Sequence, residues 1–344
     1  AIGYLAHSAN TTGEGNITLG YKAGNDLTTA SYNICIGYEA GAQATTNGTC
    51  TYIGRMVANK ATDASETTVV GGSAAWELTT GDRNAFFGNM VGRSTTTGSE
   101  NIAMGVSALY ANTTGSNSVA LGRKAARSMT TVGNTTAVGF ESLELNTTGV
   151  SNTAVGYQAL KANTTGGYNV AVGDGALVAQ SAAASQNTAV GSGAGGANTT
   201  GRYNSFIGRQ SGQKNTTGEQ STSLGAYALE NTTANEATAI GYGALQNSTG
   251  AYNTGLGSYA GDNITSGTNN TVIGRNADAS SATVSNEITL GDTNITKFRV
   301  PGLNFSIKDS TATNDYVLTV DANGDAGWEA AASGVSSSTA YNTV

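Results

Sequence analysis

Few side chains in this sequence are of types that carry covalent chemistry, and their spacing argues against it. The single histidine, His7, stands where equivalent positions carry Gly, Ala or Leu, and no recurrent partner accompanies it. A Ser/His/Asp or Cys/His nucleophile needs a base and an orienting group held together, so His7 reads as a tolerated surface substitution. Cys35 and Cys50 have no zinc-ligand spacing with any histidine. The acidic residues are scattered, without the recurrent pair that glycoside hydrolysis needs. The glycine-rich text never gives the strand, G-x-G-x-x-G and helix of a dinucleotide site, nor the alternation of calcium-binding nonapeptide rolls. The expectation is a non-enzymatic protein without cofactor or metal.

Two patterns point instead to contact or modification. Tyr4, Tyr21, Tyr38, Tyr157 and Tyr242 each follow a glycine of one recurring set. Tyr21, Tyr38, Tyr157 and Tyr242 are candidate glycan contacts through ring stacking, although Arg55, Asn89, Asp174 and Ser192 fill the same slot and favour a corner that merely tolerates tyrosine. Asn-Thr-Thr-Gly recurs, and its sequons make Asn112, Asn146, Asn163, Asn198 and Asn215 candidate glycosylation sites. Asn and Thr are also good turn formers, so loop exposure is the firmer expectation.

These residues are placed by a repeat. Glycine follows an apolar residue at 3, 20, 37, 54, 71, 88, 105, 122, 139, 156, 173, 191, 208, 225, 241, 257, 274 and 291, a period of 17 that slips by one three times. So short a period means one supersecondary unit stacked on copies of itself. The fold class is all-β: a parallel β-solenoid, or β-roll, of about eighteen 17-residue coils, on the order of 85 Å long at about 4.8 Å per layer. Gly20, Gly37, Gly105, Gly122, Gly139, Gly156, Gly173 and Gly191 end a strand at a corner needing positive φ or a Cβ-free approach. Each coil is read as two turns and two short strands. The apolar residue before the glycine, and the Ile, Val, Thr, Ser or Ala three before it, are assigned to the interior. The position between them, often alanine, then points outward. Ala103, Ala120, Ala137, Ala154, Ala171 and Ala189 form a small-residue stripe expected to be an oligomer interface, since a lone thin rod buries little apolar surface. Asn recurs four before the glycine, as at Asn16, Asn33, Asn84 and Asn101, where amides can stack into a ladder.

Composition agrees with a repetitive rod: 48 Gly, one Pro, 11% charged residues and a net charge of -7. The balance argues against nucleic acid as a partner, and no stretch is long and apolar enough for a membrane span. The first residues already lie inside a repeat, so a longer chain or a separate cap is expected there. At a spacing of 17, Cys35 faces Tyr52 and Cys50 faces Asn33, which favours two free, buried thiols over a disulfide. The period stops after Gly291. Residues 1–295 are read as the solenoid shaft or head, 296–330 as a small β-rich cap or neck with Pro301 ending the ladder, and 331–344 as a low-complexity linker or tail.

Written as Asn-Thr-Ala-Val-Gly-x-x-Ala, the unit resembles the head repeats of trimeric autotransporter adhesins of the YadA type. Asn117-Ser118-Val119-Ala120-Leu121-Gly122-Arg123-Lys124-Ala125 is nearest to that pattern, and the likeness runs from Ala1 to about Ile295. It implies three chains about one axis. The longer Thr-Thr-Gly coils, and the segment from Tyr316 to Trp328, resemble bacteriophage tail-fibre proteins more loosely. The function expected is a structural, adhesive, extracellular fibre: a tail-fibre segment presenting host attachment on a virion, or alternatively an adhesin head on a bacterial surface. Cell-surface glycans or outer-membrane components are the implied partners. Two minor alternatives are a glycan-cleaving tailspike and an ice-binding solenoid. Against the latter, Ile17, Ile34, Ala85, Ile102, Val119 and Val170 interrupt the threonine column three before the glycine, a position assigned to the interior.

Overall fold

Every coil turns a corner at a residue that can have no side chain. The strand Thr153–Val155 ends at Gly156, whose φ of +140° is one that side-chain-bearing residues rarely adopt. A Cβ at Gly156 would lie 2.3 Å from the carbonyl oxygen of Gly173 in the next coil. Gly20, Gly37, Gly105, Gly122, Gly139, Gly173 and Gly191 stand in the same relation to the glycine after them. Stacking glycine on glycine brings successive corners to backbone contact and so fixes the rise between coils.

The computed structural model describes residues 1–181 and 184–297, together with strands at Tyr316–Val320 and Ala326–Ala330. Seventeen three-residue strands, from β1 (Ile17–Leu19) to β17 (Ile288–Leu290), pair in chain order as one parallel ladder, and the bridge from Ile2 to Leu19 adds a further rung. The described residues contain no helix. Register is in phase, with Ala137 beside Ala154 and Ala171 beside Ala189. The second of those pairs spans the 18-residue coil, so the extra residue is absorbed outside the strand. The chain divides into two compact units, Ala1–Asn294 and Ile295–Val344. In the second unit, β18 (Tyr316–Val320) pairs antiparallel with β19 (Ala326–Ala330). Pro301, the Asp-Ala-Asn-Gly turn and residues 331–344 lie outside the described residues.

Each coil holds one strand rather than the expected two. The return leg is a run of turns in which Gln158 and Leu160 are left-handed, at φ 54° and 52°, a conformation costing roughly 1–2 kcal/mol per non-glycine residue. Hydrogen bonds offset that cost in both directions along the axis. The Gln158 amide donates to Phe140 in the preceding coil at 2.9 Å, whereas Leu160 and Ala162 donate to Ala176 and Val178 in the following coil at 3.0 and 3.1 Å. The backbone is thus paired to both neighbours on the return leg as well as in the strand.

The orientation of the strand is the reverse of the sequence expectation. Ala103, Ala120, Ala137, Ala154, Ala171 and Ala189 are fully buried inside the coil, while the residues flanking them point outward. The alanine stripe therefore cannot be an interface between chains. The reason is volume: a coil with a single strand is one layer of side chains thick, and the return leg contributes most of that layer. Where the mid-strand residue is Ala103, Ala137 or Ala154, the return leg supplies Leu109, Leu143 or Leu160. Where the mid-strand residue is large, glycine faces it. A Cβ on Gly41 would meet the Tyr52 ring at 2.7 Å, one on Gly92 would meet Phe86 at 2.7 Å, and Gly195 and Gly212 both abut Phe206. The small residue three after each anchor glycine, such as Ala108 or Ala159, completes the interior.

Valine at Gly156 should disrupt the coils around it and spare distant ones, because each coil contacts only its neighbours. Amide hydrogen exchange should show protection lost near residues 139–173 and retained near residues 51–70; uniform loss along the rod would refute the account.

Candidate functional site

Two surfaces run the length of the solenoid and differ in kind. The strand face presents the residue before each anchor glycine, an unbroken apolar column. Leu19, Phe87, Met104, Val190, Leu224, Leu256 and Leu290 are exposed, and Met104 reaches 53%. Three before the glycine, Ile17, Ile102, Val170 and Ile288 are exposed on the same face, and the threonines of that column flank the buried residue from outside. That position is outward, not inward as its sequence assignment had it. The column before the glycine is apolar at all seventeen rungs, whereas the column three before it mixes seven apolar residues with ten threonine or serine residues, so the strand face is a continuous apolar ridge, on the order of 80 Å long at about 4.8 Å per rung, with a hydroxyl-rich flank.

The return face carries polar and aromatic side chains in axial columns. Tyr4, Tyr21 and Tyr38 stack in series with centroids 5.6 and 5.1 Å apart, so both faces of Tyr21 are covered by its neighbours. Tyr157 stacks on Phe140 at 5.4 Å and 7°, leaving its second face toward the coil of Asp174. Tyr242 lies edge-on between Tyr227 and Tyr259. Of the four tyrosines proposed as glycan contacts, Tyr21 is stacked on both ring faces, whereas Tyr38 and Tyr157 each stack on one aromatic neighbour. Sequence reasoning did not find the alternation beside them, in which Arg93 lies 5.4 Å from the Trp76 ring and 5.9 Å from that of Tyr110, and Arg127 lies 5.7 Å from Tyr110. These residues are 17 apart in sequence, the signal that would have revealed them.

A charged network continues that column. Lys124 bridges Glu141 and Glu144 at 3.0 Å each, and Lys161 bridges Glu141 at 2.7 Å. Both carboxylates are buried beneath the lysine stems. Lys161 first, and Lys124 with it, hold the Glu141 carboxyl at about 2, below its ordinary 4.5.

The sequon asparagines are not available for glycosylation in the folded chain. Asn112, Asn146, Asn163, Asn198 and Asn215 are buried, and the Nδ2 that would carry the sugar donates instead to the turn carbonyls of Gly115, Gly149, Gly166, Gly201 and Gly218 at 2.9–3.1 Å. The threonines beside them are the exposed part of the loop. The hydroxyl of the first loop threonine donates to the backbone carbonyl of its counterpart in the next coil, Thr113 to Thr130, Thr130 to Thr147 and Thr147 to Thr164, as an axial ladder. The other asparagine column forms an amide ladder, with Asn33 donating to Asn16, Asn101 to Asn84 and Asn169 to Asn152.

His7 is not a surface residue but half-buried in the inward column of its coil, and burial lowers its pKa. Cys35 and Cys50 are free and buried. Burial, with Cys50 nearby, pushes the Cys35 thiol up to about 12, which leaves it unreactive at neutral pH. Among the described residues, no three His, Cys, Asp or Glu side chains converge to hold a metal ion, and no helix is long and apolar enough to cross a membrane.

A hollow interrupts the return face after Gly173. A cavity of about 600 Å³ opens over the coils after Gly173 and Gly191, lined by Asp174, Val178, Ser192, Gly193, Gly196 and Ala197 and walled by the Arg209–Lys214 coil.

The folded chain releases the Glu141 proton more readily than the unfolded chain, so the network's stabilisation is complete above the ordinary glutamate range and is lost as pH falls from about 4.5 to about 2. Circular-dichroism melts should show a shallower acid decline in Glu141→Gln than in the parent; identical declines would remove the network from the account of stability.

No protein-family model, curated protein or solved structure matches this sequence.

Proposed function

We propose that this chain is a segment of a non-enzymatic, extracellular fibre in which three copies associate through their strand faces and the return faces meet a host or substrate surface. The observation that carries this reading is the unbroken apolar column from Leu19 to Leu290. A rod one side-chain layer thick buries mainly alanine within itself, so the area missing from its stability lies on that outer strip. A closed ring of parallel rods would cover the strip on every copy, whereas an open arrangement would leave one exposed. Three is the number implied by the likeness to adhesin head repeats. A bacteriophage tail fibre is the favoured setting, because the long Thr-Thr-Gly coils resemble tail-fibre proteins; a bacterial adhesin head is the alternative.

A water-ordering surface has a narrower basis. Thr188, Ser205, Thr222, Thr238, Thr254 and Thr271 give an outward hydroxyl column over consecutive coils, but isoleucine and valine interrupt the column in the first half of the rod. A thermal-hysteresis assay separates this reading from the fibre.

Light scattering should find the parent trimeric at micromolar concentration and Val138→Glu/Val155→Glu monomeric with its β-signal retained, since an unpaired carboxylate buried in the interface costs several kcal/mol. Ala137→Glu should instead unfold the coil that contains it. A monomeric parent, or a trimeric double variant with unchanged melting, would overturn the assembly.

A further inference from the structure

The return face has four outward columns, at one, two, five and six residues after the anchor glycine. On most coils these hold large side chains: Arg123, Lys124 and Arg127 on one, Phe140, Glu141, Glu144 and Leu145 on the next, Tyr157, Gln158 and Lys161 on the third. Then two coils in succession are stripped. After Gly173 the four positions hold Asp174, Gly175, Val178 and Ala179, and after Gly191 they hold Ser192, Gly193, Gly196 and Ala197. The covering resumes with Arg209, Gln210, Gln213 and Lys214, and these twelve residues line the cavity of about 600 Å³.

We infer that this hollow is a binding site for a carboxylate-bearing sugar unit of a surface polysaccharide. The floor is glycine-rich backbone, which lets a ligand ring lie close to the chain. Arg209 and Lys214 place two cations against the single carboxylate of Asp174, so the lining is locally positive on a chain whose net charge is -7. Arg209 is held in place: it donates to the Tyr227 hydroxyl, and its guanidinium lies 5.3 Å from the Tyr227 ring. A preorganised guanidinium is suited to a planar carboxylate. Among the described residues Gln210, Gln213 and Lys214 form no ion pair or side-chain hydrogen bond, and their polar ends can serve sugar hydroxyls. Asp174, two coils away from Arg209, accepts from hydroxyls at the opposite wall.

This assignment rests on the fibre reading only for the presence of a polysaccharide. The site is built from one chain and lies on the return leg, so its binding is measurable whatever the oligomeric state. Saturation-transfer NMR on the full chain would use glucuronate and glucose as probes. Glucuronate should receive saturation, glucose should not, and Lys214→Ala should weaken glucuronate binding about tenfold. Val178→Trp, which places in the hollow the residue that Trp76 provides in the same column, should abolish binding while melting stays as in the parent. No transfer to glucuronate would overturn the site, and equal transfer to both sugars would overturn its acidic specificity. Retained binding in a folded Val178→Trp chain would place the sugar elsewhere and equally refute the proposal. Light scattering decides the fibre assembly separately, so failure of one leaves the other standing.

Discussion

The contact on which the solenoid depends is backbone against backbone at the anchor corner. The Cβ position of Gly156 falls 2.3 Å from the Gly173 carbonyl oxygen, and that of Gly139 falls 2.2 Å from the Gly156 oxygen. Nothing larger than hydrogen fits, so any other residue must push two coils apart. Because the corners stack at the distance strand pairing requires, each strand enters the ladder in register with the last. The extra residue between Gly173 and Gly191, and the shorter spacings to Gly241 and Gly257, leave the strand pairing undisturbed. Register in a sheet is normally fixed by the buried face; here the corner fixes it first and the buried face follows.

With register fixed, equivalent residues of successive coils must form axial columns, and columns make weak local interactions cumulative. The Asn amides, the Tyr4–Tyr21–Tyr38 stack and the Arg93–Tyr110 contacts are all the same event, a side chain meeting its counterpart one layer away, and the Thr hydroxyls reach the backbone carbonyl of theirs. The interior obeys a second rule, a constant volume shared between strand and return leg. Phe206 fits because Gly195 and Gly212 leave it space in two coils. Tyr52 fits beside Gly41 and donates its hydroxyl to Ala64, while Asn47 donates to it. A polar aromatic in so thin a core thus retains its hydrogen bonds.

The period, the parallel pairing, the corner glycines, the amide ladder and the unpaired thiols were legible in the sequence, because each follows from spacing and residue type. The direction of the strand was not. Assigning Val138 and Val155 to the core and Ala137 and Ala154 to the surface applied the rule that bulky apolar residues go inside, and that rule presumes a core with room for them. The contrary signal was present in the pairing of sizes: Tyr52, Phe86 and Phe206 occur in the alanine column where glycine stands on the return leg. A column whose bulk is compensated elsewhere is interior. The column before the glycine ranges from valine to phenylalanine without compensation and is exterior. The sequons misled for a related reason, since Asn112 and Asn146 satisfy a motif whose side chain the turn itself consumes.

The reversal also separates the two faces by their tolerance for change. On the strand face the apolar residue before the glycine varies in size but never in polarity. On the return face neighbouring coils carry tryptophan, arginine, tyrosine, glutamate and lysine at one position, from Trp76 to Lys161, without disturbing the ladder beneath. The backbone there already bonds to both neighbouring coils, and the inward positions three and four after the glycine carry the packing, so the outward residues can change from coil to coil, adding stability where they pair, as Lys124 and Lys161 do with Glu141, without being needed for the ladder. Chemical variety on a solenoid can accumulate only on such a surface. The hollow after Gly173 belongs to it, formed where two coils dispense with large outward side chains while leaving the corner, the strand and the interior as they are everywhere else.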